Sequence, residues 1–489
     1  MSTRYKGSIL SSTAAATSST AAAGLWRQTE VMQLINLSWP VNDPNWSSVS
    51  MLLHGDGTNG AQNNTFVDSS SNAFTITRNG TVTQGAINPF GSVAPYDTAI
   101  DGASAYFNGT TDYLAIPANT AFSYATGDFT WECWLYPTAY GASGSAPLDF
   151  WSNAVGSYIV GQCQIFITSA GLVQFFYATT VSAGASISSV SALTLNAWSH
   201  IAVVRSGSAT GNLKLYINGA VAATSAGAVT QNLGSTGIGS VGKQSSGTAF
   251  YFNGYVSNVR IVKGTAVYTS AFTPPTAPLT AISGTSLLLS FTNAGIFDNA
   301  MQNDLITVGT AQISTVFSKF GTGSIYTNGA GNYAVSVASS ASTLSGDFTI
   351  EFWMFRTTTG ANTYMFCLGD SFSASGIEVY ISTTGTILTV YSGNAARITT
   401  STAISQNAWA NIAVVRSGTT VSLYLNGTSV GTPWTSSATF SGAVYVGAEF
   451  YNGAVGGAFT GYIDELRITK GVARYTANYT PATQAFPNQ

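Results

Sequence analysis

The pattern of apolar and polar positions changes character near residue 47. Upstream, "SSTAAATSSTAAAG" (residues 11–24) has no apolar periodicity and no means of building a core alone. It runs into "LWRQTEVMQLINLSWP" (residues 25–40), where Leu25, Met32, Ile35 and Trp39 fall near helical spacing and Pro40 forbids continuation. This predicts a short helix whose apolar residues, Trp26 among them, form an anchor behind a flexible arm. From residue 48 the pattern is different. "DFTWECWLYP", "QIFIT", "LVQFFYA", "HIAVVR", "LKLYING" and "YVSNVRIV" alternate, or are rich in aromatic and β-branched residues, and Gly, Asn, Ser and Pro punctuate them. Many short strands and no convincing helix predict an all-β sandwich or jelly roll.

The strand pattern is written twice. "GDFTWECW" (127–134) recurs as "GDFTIEFW" (346–353), and "NAWSHIAVVRSG" (196–207) as "NAWANIAVVRSG" (407–418). "LYINGA" (215–220) returns as "LYLNGT" (423–428), and "GYVSNVRIVKGTAVYTSAFTP" (254–274) as "GYIDELRITKGVARYTANYTP" (461–481). The order is kept while the spacing between counterparts shrinks, so a whole domain has been duplicated and the first copy carries longer loops. The plan that follows is an arm and helix over residues 1–46, one domain over 47–281 and a second over 282–489. The Pro- and Thr-rich "TPPTAPLTAISG" (273–284) is the linker.

Composition narrows the choice of partners. Hydrophobic residues are 45% of the 489, but charged residues only 7%, against about 25% in ordinary domains. Ser, Thr, Asn and Gly must therefore form the surface, which suits a protein packed beside others or facing sugars. With 16 Lys and Arg, a net charge of −3 and no block of like charge, nothing favours nucleic acid or an anionic membrane. No apolar run reaches the roughly 20 residues of a membrane span, and no secretory signal is read at the start. Cys133, Cys163 and Cys367 are too few and scattered for a disulfide framework or a zinc site and read as buried free thiols.

Catalytic chemistry is hard to place. A two-carboxylate glycosidase needs facing carboxyls roughly 5–5.5 Å apart if retaining, which one strand supplies at alternate positions. The duplicated strands carry a single acid each, Glu132 and Glu351, with Trp134 and Trp353 two places on, and no E-x-D-x-E run occurs. The only histidines, His54 and His200, are matched by Ser290 and Asn411, so no His-based set recurs. Glu132 and Glu351 are expected instead to pair with a duplicated arginine, Arg205/Arg416 or Arg260/Arg467, since a buried lone carboxylate is costly. Trp134, Trp353, Trp198 and Trp409 read as core.

With these blocks in view, each copy resembles the concanavalin A-like lectin/glucanase superfamily in its laminin G-like form. The order is an opening strand and Asp-rich turn ("LLHGDGTNG…FVDSSSN"), "SAYFNGTTDYLAIP", "GDFTWECW", "AWSHIAVVRSG", "LKLYINGA" and "GYVSNVRIVKG". "AQISTVFSKFGTGSIYTNGAGNYAVSV" (311–337) and the N-terminal segment are similar to parts of bacteriophage virion proteins. The resemblance implies two tandem jelly-roll sandwiches in a non-enzymatic virion surface protein, a fibre or appendage. Residues 1–46 would hold it to other virion proteins while the sandwiches contact host-surface glycans. A homo-oligomer is implied, with a trimer by analogy with phage fibres. The alternative is a capsid decoration or cement protein that binds no sugar.

For glycan contact, the loop-borne rings Tyr96, Tyr140, Tyr158, Tyr364, Trp434 and Tyr451 are the candidates, sites being carried on loops. The resemblance also raises a calcium ion, for which Asp56, Asp68, Ser70 and Asn72 are the candidate ligands, with Asp298 and Asp304 in copy two. Turns capped by their own Asp and Asn side chains are the competing explanation. No other cofactor is expected.

Overall fold

In a computed structural model, the structure describes residues 43–487 except 70, 91–100, 151–159, 182, 235–236, 246–248, 293–295, 298–302, 304, 359–361 and 383–386. The anchor residues Leu25, Trp26, Met32, Ile35 and Trp39 lie outside the described residues. The fold is all-β: two sandwiches, each stacking an eight-stranded front sheet on a seven-stranded back sheet. Two 3-10 turns, Trp46–Ser48 and Thr120–Phe122, interrupt the strands.

Alternation explains how each sandwich closes. In the front-sheet strand Phe129–Ala139, Trp131, Cys133 and Leu135 are fully buried between the sheets. Its counterpart Phe348–Arg356 sends Ile350, Phe352 and Met354 inward. Back-sheet strands meet them with Leu148, Ile165 and Phe175 in the first sandwich and Phe366, Val379 and Val390 in the second. Each such fully buried side chain contributes about 1.5–3 kcal/mol. The three cysteines are buried and free, as expected, and burial pushes their thiols well above the usual range. Trp134 and Trp353 are buried as expected, though alternation packs them on the outer face with the glutamates and not between the sheets. Trp134 lies against Phe90 and His200, and Trp353 against Phe320 and Lys319. Trp198 and Trp409 are half-buried against Tyr136 and Phe355.

The boundary between residues 281 and 282 does not separate the sheets. Val49–Leu53, the opening strand of the first copy, pairs with Thr460–Lys470 in the second sandwich, Leu53 facing Leu466. Thr285–Leu289, the opening strand of the second copy, pairs with Asn253–Lys263 in the first, Leu289 facing Val259. The two copies have exchanged first strands. The first sandwich is thus continuous from Phe66 to Phe291 and sits as an insertion in the second, whose core joins Met51 and Leu53 to residues from Ile296 onward. Asn63 pins the crossing: its side chain bonds Leu305 and Thr307, while its carbonyl accepts from Gln84.

After each closing strand the chain folds back over the front sheet. Tyr268 stacks on Phe272 with ring centroids 3.6 Å apart, over Ala202, Val204 and Tyr216. Tyr475 and Tyr479 repeat this at 3.6 Å over Ala413, Val415 and Tyr424. Each return is fixed to an Asn-Gly hairpin turn with both residues at positive φ, as such turns require. Phe272 donates its N–H to Gly219 and Tyr479 its own to Gly427.

Candidate functional site

The duplicated acid occupies a closed polar knot on the outer face of each front sheet. Arg260 approaches Glu132 to 2.6 Å, His200 lies at 3.3 Å, and Tyr268 donates to the carboxylate at 2.8 Å. Burial alone would raise the Glu132 carboxyl; the His200 bond, the Arg260 charge and Tyr268 outweigh it and hold the carboxyl below its usual range. In the second sandwich Arg467 and Tyr475 each reach Glu351 at 2.8 Å, and Asp43 binds both Arg467 and Arg474. The expected Glu–Arg pair is therefore present twice, with Arg260 and Arg467 as partners. Arg205 and Arg416 serve elsewhere: Arg205 donates to the carbonyls of Ala125, Gly127 and Gln231, and Arg416 to those of Gly346, Ala438 and Leu344. With every carboxylate oxygen of Glu132 and Glu351 engaged, this knot ties neighbouring strands and the returning tail together.

The outer face of the second sandwich's back sheet is built differently. Strands Thr363–Leu368, Ile377–Ile381 and Ile387–Ser392 turn their apolar residues to the core, which leaves Tyr364, Glu378, Tyr380 and Tyr391 outside. Tyr364 stacks on Tyr380 at 5.2 Å, and Tyr380 meets Tyr391 edge-on at 6.2 Å. Tyr391 continues to Tyr451 at 6.3 Å, and the exposed Phe372 stands perpendicular to Tyr451 at 5.3 Å. The hydroxyls of Tyr391 and Tyr451 both donate to Asn394, at 2.8 and 2.6 Å. Asp370 holds the hairpin over this face by accepting the backbone N–H groups of Asn452 and Gly453. The result is a row of rings with amide and carboxylate groups interleaved, which suits a ligand with apolar ring faces and many hydroxyls.

At the equivalent position of the first sandwich the chemistry has changed. Asp149 faces Gln164 across two strands where the second copy pairs Cys367 with Glu378. Asp149 accepts from the backbone and hydroxyl of Ser245, and Lys243 lies over the Tyr113 ring at 4.1 Å. The frame is common to both copies; this face is where they part.

The structure brings two of the six candidate rings, Tyr364 and Tyr451, into one cluster. Tyr140 instead gives its hydroxyl to the Leu193 carbonyl, half-buried at the base of a loop. Trp434 is half-buried at the sheet edge beneath Arg397. Tyr96 and Tyr158 lie outside the described residues. Tyr380 and Tyr391 escaped the sequence reading because they are in strands rather than loops; their outward register beside Val379 and Val390 was the available signal.

The proposed calcium ligands do not converge. Asp56 accepts backbone N–H groups of Thr322 and Gly323 in the second sandwich. Asp68 accepts those of Phe74 and Leu288 in the first, at 3.1 and 2.9 Å, and Asn72 donates to the Ser286 carbonyl. Among the described residues no group of three or more His, Cys, Asp or Glu could hold a metal. Ser70, Asp298 and Asp304 lie outside them. Asp56, Asp68 and Asn72 thus tie distant segments of the chain together through its backbone.

Comparison with known proteins agrees with the architecture. A laminin G model of the concanavalin A-like lectin/glucanases superfamily matches residues 108–267 and again 328–474, together more than half of the chain. No curated protein sequence matches. Among solved structures, domain 4 of the extracellular arabinanase AbnA from Geobacillus stearothermophilus, in complex with arabinotriose, is 16% identical. It covers 45% of this chain and 94% of its own, with a TM-score of 0.31. Domains LG4-5 of the mouse laminin alpha1 chain are 15% identical, covering 81% and 97%, with a TM-score of 0.29. The botulinum neurotoxin serotype D binding domain is 11% identical, covering 86% and 98%, with a TM-score of 0.32. None of these likenesses fixes a ligand for this chain. The duplicated family match, on two sandwiches of the expected order, shows that the chain belongs to the concanavalin A-like lectin/glucanases superfamily, in its laminin G-like form.

Proposed function

We propose that this chain is a non-enzymatic surface protein of a phage particle, held by residues 1–46 and contacting host-surface glycans through the tyrosine face of its second sandwich. The observation that carries the glycan reading is the row Tyr380, Tyr391 and Tyr451, backed by the buried Tyr364, with Asn394 among the hydroxyls. Stacking surfaces flanked by side-chain acceptors are what a saccharide needs for affinity and orientation. The absence of a role for catalysis is supported by the front-sheet acids, whose oxygens are taken by arginine and tyrosine. The particle context rests on the resemblance of residues 311–337 and the N-terminal segment to phage virion proteins, and on the low charge. A glycan array probed with the full chain tests the first part: binding that Tyr451→Ala and Tyr391→Ala both abolish is expected, and an array blank throughout defeats it. Deleting residues 1–46 should leave the protein off the particle; continued incorporation refutes the anchor.

A further inference from the structure

Glu378 is 2% exposed, yet its hydrogen bonding is incomplete. One oxygen is within reach of the Ser371 hydroxyl, while Oε2 has no hydrogen-bond partner among the described residues. A buried polar atom left without a partner costs about 1–3 kcal/mol, so such atoms commonly mark a missing partner. Glu449 stands beside it, partly exposed, on the strand Glu449–Tyr451, and receives the Tyr364 hydroxyl. Asp370 is committed to the N–H groups of Phe372, Asn452 and Gly453. Burial first, then the Glu449 and Asp370 charges, push the Glu378 carboxyl up to about 8. The other titratable groups coupled to it, Cys367, Tyr364, Tyr380 and Tyr391, are all acids as well.

The occupant this arrangement favours can be argued by elimination. An acidic sugar would add a further negative charge beside Glu449 and Asp370. A neutral sugar could donate hydroxyls but would leave Glu449 and Asp370 without a counter-charge. A protonated amine supplies N–H donors and a positive charge together, and tyrosine rings attract a cation over their faces. We propose that the tyrosine face of the second sandwich takes saccharides bearing a protonated amine, the ammonium lying at Glu449 with Glu378 behind it. This rests on the reading of that face as a glycan site.

Titration calorimetry on the full chain at pH 7, with a glucosamine tetramer and its N-acetylated counterpart, tests it. The free-amine oligomer should bind about thirtyfold tighter, the value of one desolvated cation–ring contact. Its arrival should ionise Glu378 and release close to one proton, read as a dependence of the heat on the buffer's ionisation enthalpy. Glu378→Gln should abolish the proton release, and Glu449→Gln the preference for the free amine. Equal affinities, or a proton release unchanged in Glu378→Gln, would overturn the proposal. Binding of the acetylated oligomer alone, lost in Tyr451→Ala, would refute the ammonium assignment while keeping the glycan site. If neither oligomer binds, the proposal fails and the array decides the parent reading separately.

Discussion

His54 Nδ1 lies 2.8 Å from Glu465 Oε1, a contact between residues 411 positions apart. It exists because the first strand of the chain belongs to the last sheet. Glu465 has a positive φ of 51°, a backbone state unfavourable for a non-glycine residue. Its side chain is held on both oxygens, by His54 and by the N–H of Phe486 at 2.6 Å. The first sandwich has an echo, since Asn258, at φ 49°, accepts the Leu279 N–H at 2.7 Å.

The exchange of strands makes a sharp prediction for dissected chains. Residues 64–292 should fold as a cooperative unit, whereas 296–489, which holds neither opening strand, should not, because Met51 and Leu53 are missing from its core. Joining residues 43–63 to 296–489 by a short Gly/Ser linker should restore folding. Near-ultraviolet circular dichroism and denaturant unfolding read the outcome; a well-folded 296–489 would contradict the pairing.

Breaking the buried pair should be expensive in either sandwich. Arg467→Ala leaves the buried Glu351 without its arginine and Asp43 with Arg474 alone, and should cost about 3–5 kcal/mol. Glu351→Gln, which keeps the shape and removes the charge, should cost less but still lower the melting temperature. An unchanged melting temperature in both variants would show that the pair contributes no stability.

Glu378 predicts a pH dependence of the opposite sense to a salt-bridged acid. Its folded carboxyl sits at about 8 against an ordinary 4.5, so native stability is fully present below the ordinary value and is lost as pH rises to about 8. Glu378→Gln should match the parent near pH 4 and exceed it by a few kcal/mol at pH 9, at about 1.4 kcal/mol per unit. A constant difference across that range would exclude the group.

The Asn-Gly turns leave no room for a side chain. A Cβ on Gly427 would stand 1.9 Å from the Tyr479 carbonyl oxygen at a φ of +78°. Gly427→Ala should cost more than about 1 kcal/mol, because the returning tail must shift as well as the turn, and chemical denaturation measures it. Gly453→Ala, which meets nothing within 4 Å at φ +75°, isolates the backbone contribution alone.

Much of the frame was legible in the chain because repetition reveals registers. "GDFTWECW" and "GDFTIEFW" mark the central strands, and their lone glutamates pointed to an arginine partner. The choice of Arg260 and Arg467 over Arg205 and Arg416 was not legible, since it depends on which strand lies beside Glu132 and Glu351 and on which face each arginine points. The strand exchange was hidden for a related reason: "SMLLHG" and "SLLLSF" are interchangeable apolar strands, and only the path of the connecting chain decides which sheet each joins. The tyrosine face was half visible. Tyr364 and Tyr451 were suspected as loop rings, while Tyr380 and Tyr391 looked like ordinary strand residues until the core side of each strand was known.

The insertion of one sandwich into the other also sets how the molecule carries load. Val49 faces Thr469 and Leu53 faces Leu466, so the incoming and outgoing chain stand at the same end of one antiparallel pair. A pull on both ends first peels the returning tail from Glu465 and the front sheet, then bears on the Asp43 bridges to Arg467 and Arg474 and opens the pair one link after another, like a zip. The first sandwich lies off this line of force and stays folded while its host gives way.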